Sequence, residues 1–179
     1  MLPELLNEQL RLNNGTIVKK CPTVKPLYCA KDGRFFSVRN MQITDEGCIM
    51  HEVQPIFSPA MRVRNQNSAV RHGINYPQMR HFGNRPCHHL IWETWVGPRT
   101  KGMEIDHLNG NILDWSLDNL EEVTPEENRK RAVLLRELRR NGRDPKQMTR
   151  DQLQAIFRKY RLGDPNARMD LDFSRHREF

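Results

Sequence analysis

Apolar residues from 16 to about 86 come in short runs separated by turn residues, a strand-like pattern. LYCA and RFFSV flank Lys31-Asp32-Gly33, which predicts a hairpin. Thr44-Asp45-Glu46-Gly47 separates MQI from CIMHEV in the same way, and YPQMRHF before Gly83-Asn84 predicts one more strand. Residues 62–75 are polar and basic, and read as an exposed loop or ragged strand. Ahead of this region, leucines at 5, 6 and 10 predict a short amphipathic helix over 3–12, with a frayed terminus as the alternative.

Helical spacing takes over at residue 87. In CHHLIWETWV, Ile91 with Trp95 and Trp92 with Val96 are i,i+4 partners, which places both tryptophans in the core, and Gly97-Pro98 stops the helix. MEIDH (103–107) alternates as a strand. A strict strand would point Asp106 and His107 to opposite faces, so a shared site needs the strand to end or bend there. Asn109-Gly110-Asn111 supplies the turn residues, and a loop over 109–118 leads into the strand NLEEV. Thr124, Pro125 and Glu127 then form a helix start with a capping box. The helix runs to Asn141-Gly142 with an apolar stripe of Ala132, Leu135 and Leu138. Asn128 lies at the start of that stripe, and Arg129, Arg136 and Arg140 on another face. After a break at Pro145, Thr149 and Gln152 open a further helix. The closing polar stretch predicts poor order or docking on something else.

Charge sharpens this picture. The 179 residues carry 29 Lys+Arg and 22 Asp+Glu, a net of +7, which favours a polyanionic partner without specifying a fold. Residues 1–86 hold twelve basic and six acidic side chains, whereas 87–123 hold two and seven. Residues 124–143 return to seven and three. An acidic island between basic flanks suits a cation centre with phosphate-binding arms, although a solvated acidic loop would give the same tally. Arg62, Arg64 and Arg71, with Arg80 and Arg85, are candidate phosphate contacts on the N-terminal part. Arg129, Lys130 and Arg136 are candidates on the central helix. Cys21, Cys29, Cys48 and Cys87 have no CxxC spacing, which argues against a zinc ribbon. No signal peptide and no apolar run approaching eighteen residues is evident, so the expectation is a cytoplasmic protein with no membrane partner.

Phosphodiester hydrolysis requires a deprotonated water, an offset for charge on the phosphorane, and a stabilised 3′ oxygen. A histidine titrating near neutrality can meet the first need, and a hard divalent cation the other two. Mg²⁺ takes oxygen ligands, few of them from protein. The Asp106 carboxylate with the Asn128 amide oxygen is such a set, and His107 stands beside it.

From His88 to Asn128, HHLIWETWVGPRTKGMEIDHLNGN and LDNLEEVTPEEN resemble the HNH endonuclease family in residue type and spacing, specifically its phage and intron-encoded homing branch. His88, Leu90 and Ile91 correspond to the family's helix start, Asp106-His107 to its Asp-His pair, Asn119-Leu120 to its middle Asn-Leu, and Asn128 to its final ligand. The resemblance implies an α+β protein with a small ββα-metal (His-Me finger) core, an N-terminal β-rich arm and C-terminal helices. It implies His107 as general base, Asp106 and Asn128 as ligands of Mg²⁺ (or Mn²⁺), and Asn119 as structural support for the loop. Ile112 and Trp115 depart from the family, where a basic residue and an asparagine are common. They bear on loop packing or a DNA contact rather than on the chemistry.

The expected division is 1–86 as a basic DNA-contacting region, 87–142 as the catalytic module, and 143–179 as an accessory region of unassigned role. The expected function is metal-dependent cleavage of double-stranded DNA by a monomer, with a dimer needed for a concerted double-strand break. The alternative is a DNA-binding or phage-assembly protein that keeps the fold without the activity. A structural zinc module using His88, His89 and the cysteines is a third reading, disfavoured by spacing.

Overall fold

The computed structural model describes residues 9–44, 47–55, 77–79, 82–83 and 85–161. The architecture is α+β, and the chain divides into two compact units: Met1–Thr100 with Ile112–Leu120, and Lys101–Asn111 with Glu121–Phe179.

In the first unit, β1 (Gln9–Arg11), β2 (Ile17–Lys20), β3 (Leu27–Ala30), β4 (Phe35–Thr44) and β5 (Gly47–Val53) form an antiparallel sheet in chain order. The two predicted hairpins are β3–β4 and β4–β5, the second closed by the pair Thr44↔Gly47. All four residues of β3 are buried. Tyr28 and Ala30 join Leu12, Val18, Phe36, Cys48 and Met50 in one apolar cluster. On the other face of β3, Cys29 Sγ accepts from Thr94 Oγ1 at 3.5 Å, which places α1 (Cys87–Trp95) over that face. A strand covered on both sides reads as a continuous apolar run, which explains LYCA. Leu90 and Ile91 of α1 are fully buried, whereas Trp92 and Trp95 are only half-buried, with Lys31 Nζ 5.1 Å from the Trp95 ring centroid. A short β6 (Gln78–Met79) pairs with β7 (Arg85–Pro86) just ahead of α1.

The predicted helix over 3–12 is corrected for residues 9–12. Gln9–Arg11 pair with Ile17–Lys19 as strand. Leu10 and Leu12, two apart, pack against the sheet cluster, so the leucines follow a period of two. Residues 1–8, the loop over 62–75 and the closing stretch from 163 lie outside the described residues.

In the second unit, β8 (Glu104–His107) pairs with β9 (Leu120–Val123), and α2 (Pro125–Arg140) packs on β8. Thr124 caps α2, its side chain accepting from Glu127 N–H at 3.1 Å, with Pro125 in the first turn. The helix α3 (Arg150–Arg161) opens on a reciprocal capping box: Thr149 N–H donates to Gln152 Oε1 at 2.9 Å, and Gln152 N–H to Thr149 Oγ1 at 3.3 Å. Leu108, Leu134, Leu135, Leu138, Leu153 and Phe157 form the core. The buried stripe of α2 is Arg131, Leu134, Leu135 and Leu138, and Ala132 is exposed, which corrects the predicted stripe. A buried arginine takes the place because carboxylates surround it. No described helix is long and apolar enough to cross a membrane.

Candidate metal and active site

Strand β8 sets the geometry of the site. Its burial alternates, with Ile105 and His107 buried and Glu104 and Asp106 more open. The strand ends at His107, whose carbonyl accepts from Gly110 N–H at 2.7 Å, and Asn109 Oδ1 accepts from Asn111 N–H at 2.8 Å. Gly110 sits at φ 65°, and a Cβ there would lie 2.7 Å from Arg139 Nη2 and 3.0 Å from Leu135 Cδ1. The positive φ favours glycine, and a larger residue there would have to push the Arg139 and Leu135 side chains aside. The turn drops Leu108 into the core directly after the Asp-His pair.

Glu104 and Asp106, two apart on the strand, meet Asn128 and Arg131, three apart on α2. Asn128 Nδ2 donates to Glu104 Oε2 at 2.7 Å. Arg131 Nη1 reaches Asp106 Oδ2 at 3.5 Å. Both predicted cation ligands therefore lie at one strand–helix junction. His107 is 4% exposed and, by the strand's alternation, shares the side of Ile105. The Asp106 carboxylate also accepts from the His107 backbone N–H.

Sequence reasoning overlooked Glu104, Glu121 and Arg131, and gave Glu127 a capping role without its pairing to Arg131. Arg131 is 3% exposed. Its Nη1 donates to Glu121 Oε2 at 2.7 Å, and its Nε and Nη2 to Glu127 Oε1 at 3.0 and 2.6 Å. Four carboxylates thus share this junction with a single guanidinium. Two signals could have found these residues: Glu104 is one strand repeat before Asp106, and Arg131 is one helical turn after Asn128.

Burial pushes the Asp106 carboxyl up to about 6, against the pull of the Arg131 guanidinium and with a further push from the Glu121 charge. A carboxylate that is costly to ionise, and only loosely held at 3.5 Å, has lone pairs to give to a cation. Because the Asn128 amide nitrogen is spent on Glu104, its oxygen is the atom left for one. These are hard oxygen donors, and they fit a Mg²⁺-like ion that keeps most of its shell as water and phosphate. Among the described residues there is no group of three or more His, Cys, Asp or Glu arranged to hold a metal.

In the first unit, Asn119 is buried, with its amide donating to the Asp114 carbonyl at 2.7 Å and its backbone N–H to the Ser116 carbonyl at 3.0 Å. Trp115 Nε1 donates to the Gly33 carbonyl at 2.7 Å, and Leu117 N–H to the Lys31 carbonyl at 2.8 Å. The loop over 112–120 is thereby fastened to the β3–β4 turn, and Trp115 serves loop packing. His88 is buried in α1 with its ring 4.3 Å from that of His89.

Of the candidate phosphate contacts, Arg129, Lys130 and Arg136 are exposed on α2, with Lys130 paired to Glu126 at 2.7 Å. Arg85 is committed to Glu93 at 2.6 Å. Arg62, Arg64, Arg71 and Arg80 lie outside the described residues.

Residues 85–130 match the family model described as HNH endonuclease, a span that includes Asp106, His107, Asn119 and Asn128. The resemblance to HNH endonucleases read from the sequence is shown over that span. The chain is also 44% identical over 50 residues to "Protein 3.8" of Escherichia phage T7, a stretch that is 27% of this chain and 41% of that protein. No solved structure matches.

Proposed function

We propose that the protein is a metal-dependent DNA endonuclease with a ββα-metal core made of β8, β9 and α2. The observation that carries this reading is the strand–helix junction, where Glu104 and Asp106 of β8 meet Asn128 and Arg131 of α2 within a segment that matches HNH endonucleases and has His107 next in sequence to Asp106. His107 takes the proton from the attacking water, whose oxygen bonds to phosphorus as the bond to the 3′ oxygen breaks. Asp106 and Asn128 would hold a divalent cation, Mg²⁺ first and Mn²⁺ as substitute, which would supply charge to offset the phosphorane and the leaving oxygen. Asn119 keeps its loop closed through the bond to Asp114.

The basic region 1–86, with Arg62, Arg64 and Arg71, and the exposed Arg129, Lys130 and Arg136 hold the phosphate backbone of double-stranded DNA. Residues 87–142 form the catalytic module. One catalytic set per chain gives nicking by a monomer. A phage setting belongs to this reading, supported by the phage T7 relative.

The test is incubation of supercoiled plasmid with the full chain in Mg²⁺ or in EDTA. The expected result is nicking in Mg²⁺ alone, with nicks that DNA ligase reseals because they carry 3′-hydroxyl and 5′-phosphate ends. DNA binding without cleavage, in Mg²⁺ and in Mn²⁺, would instead assign a binding or assembly role.

A further inference from the structure

The role of the chain beyond residue 142 has no account in the site described so far, yet α3 reaches the site's charged network. The Phe157 ring centroid lies 4.6 Å from the Arg131 guanidinium carbon. Phe157 is 3% exposed and belongs to the cluster that includes Leu108 and Leu153. The guanidinium therefore lies over a ring from α3, while its N–H groups serve carboxylates from β8, β9 and α2.

We infer that Arg131 is a positioning residue for Asp106, and that α3 serves the candidate metal centre by seating Phe157 against its guanidinium. The inference rests on the proposed role of Asp106 as a cation ligand. The guanidinium is a planar fork with donors fixed in one plane. Glu127 takes the Nε and Nη2 edge, and Glu121 takes a short bond from Nη1. These bonds fix where the Nη1 group stands, and Asp106 meets it at the longer 3.5 Å. Asp106 is thus oriented by a group whose strong bonds lie elsewhere, and it keeps its oxygens available.

What the carboxylates do not fix is tilt of the fork out of its plane, and the ring it lies over restrains that motion. An apolar side chain without a π-face fills the space but does not attract the cation. The sequence thereby couples a helix that carries no candidate ligand to the orientation of one that does. Outer-sphere groups of this kind tune metal affinity by about tenfold or more.

The experiment measures Mn²⁺ dissociation constants by electron paramagnetic resonance on the full chain, with thermal melting of each variant. Phe157→Leu keeps apolar volume and removes the ring. Leu153→Ala, in the same cluster, loosens the core and leaves the ring in place. Arg131→Lys keeps the charge and removes the fork. The expected result is Mn²⁺ affinity weakened about tenfold in Phe157→Leu and Arg131→Lys, with Leu153→Ala melting earlier but binding Mn²⁺ as the wild type does. Wild-type affinity in Phe157→Leu overturns the inference, as does affinity that follows melting temperature across the variants. Absence of Mn²⁺ binding in the wild type would remove the metal reading itself and this inference with it. Should Arg131→Lys fail to fold, Phe157→Leu against Leu153→Ala still decides.

Discussion

The amide nitrogen of Asn128 donates to the Glu104 carboxylate at 2.7 Å, across the junction between the first turn of α2 and the start of β8. This bond fixes which end of the amide is left for a cation. Replacing Glu104 with alanine removes the acceptor and lets the amide turn. The Mg²⁺ concentration for half-maximal nicking is expected to rise about tenfold or more, with DNA affinity in EDTA unchanged. A wild-type Mg²⁺ requirement in Glu104→Ala would show that the bond does not orient a ligand.

Asp106 makes stability depend on pH and, in its proposed role as a ligand, metal binding as well. Its folded-state pKa of about 6 stands above the ordinary 3.8, with burial as the main cause. The protonated carboxyl is therefore the form the fold favours. Its contribution is full below about 4 and is lost as pH rises through about 6, a difference of about 3 kcal/mol. Asp106→Asn cannot ionise, so it is expected to melt higher than wild type at pH 8 and about equally at pH 4. The same titration governs the cation, because a protonated carboxyl is a poor ligand. The Mg²⁺ requirement should rise about tenfold per pH unit below 6. An equal gap in melting temperature at both pH values would contradict the assignment.

Gly33 and Trp115 fasten the loop over 112–120 to the sheet. Gly33 has φ 93°, and a Cβ added there would stand 2.9 Å from Trp115 Cδ1 and Nε1. Gly33→Ala therefore combines backbone strain with displacement of the indole. A loss of about 2 kcal/mol is expected, read by urea denaturation. Trp115 fluorescence is the second readout, since the indole N–H bonds the Gly33 carbonyl at 2.7 Å. An unchanged urea midpoint would mean that the loop is held by other contacts.

Elements governed by local chemistry were legible in the sequence. Turn residues marked the β3–β4 hairpin, Thr124 with Pro125 marked the start of α2, and Thr149 with Gln152 marked that of α3. What escaped depended on partners distant in sequence. Leucines at 10 and 12 suit a strand only because β2 lies beside them. Arg131 has the composition of a surface residue, and only Glu121, ten positions earlier, with Asp106 and Glu127, gives it a buried place. Glu104 was passed over for a similar reason, since its partner Asn128 is 24 positions away. The Asp-His pair and Asn128 stood out from residue type and spacing, whereas the ionic network around them needed coordinates.

The most direct measurement compares wild type with His107→Ala for cleavage of supercoiled plasmid in Mg²⁺, with DNA affinity measured in EDTA on the same preparations. Loss of a general base slows proton transfer without removing phosphate contacts. The account predicts nicking at least about 100-fold slower in His107→Ala, with DNA affinity retained. Cleavage by His107→Ala at the wild-type rate, or wild-type cleavage undiminished by EDTA, would contradict it.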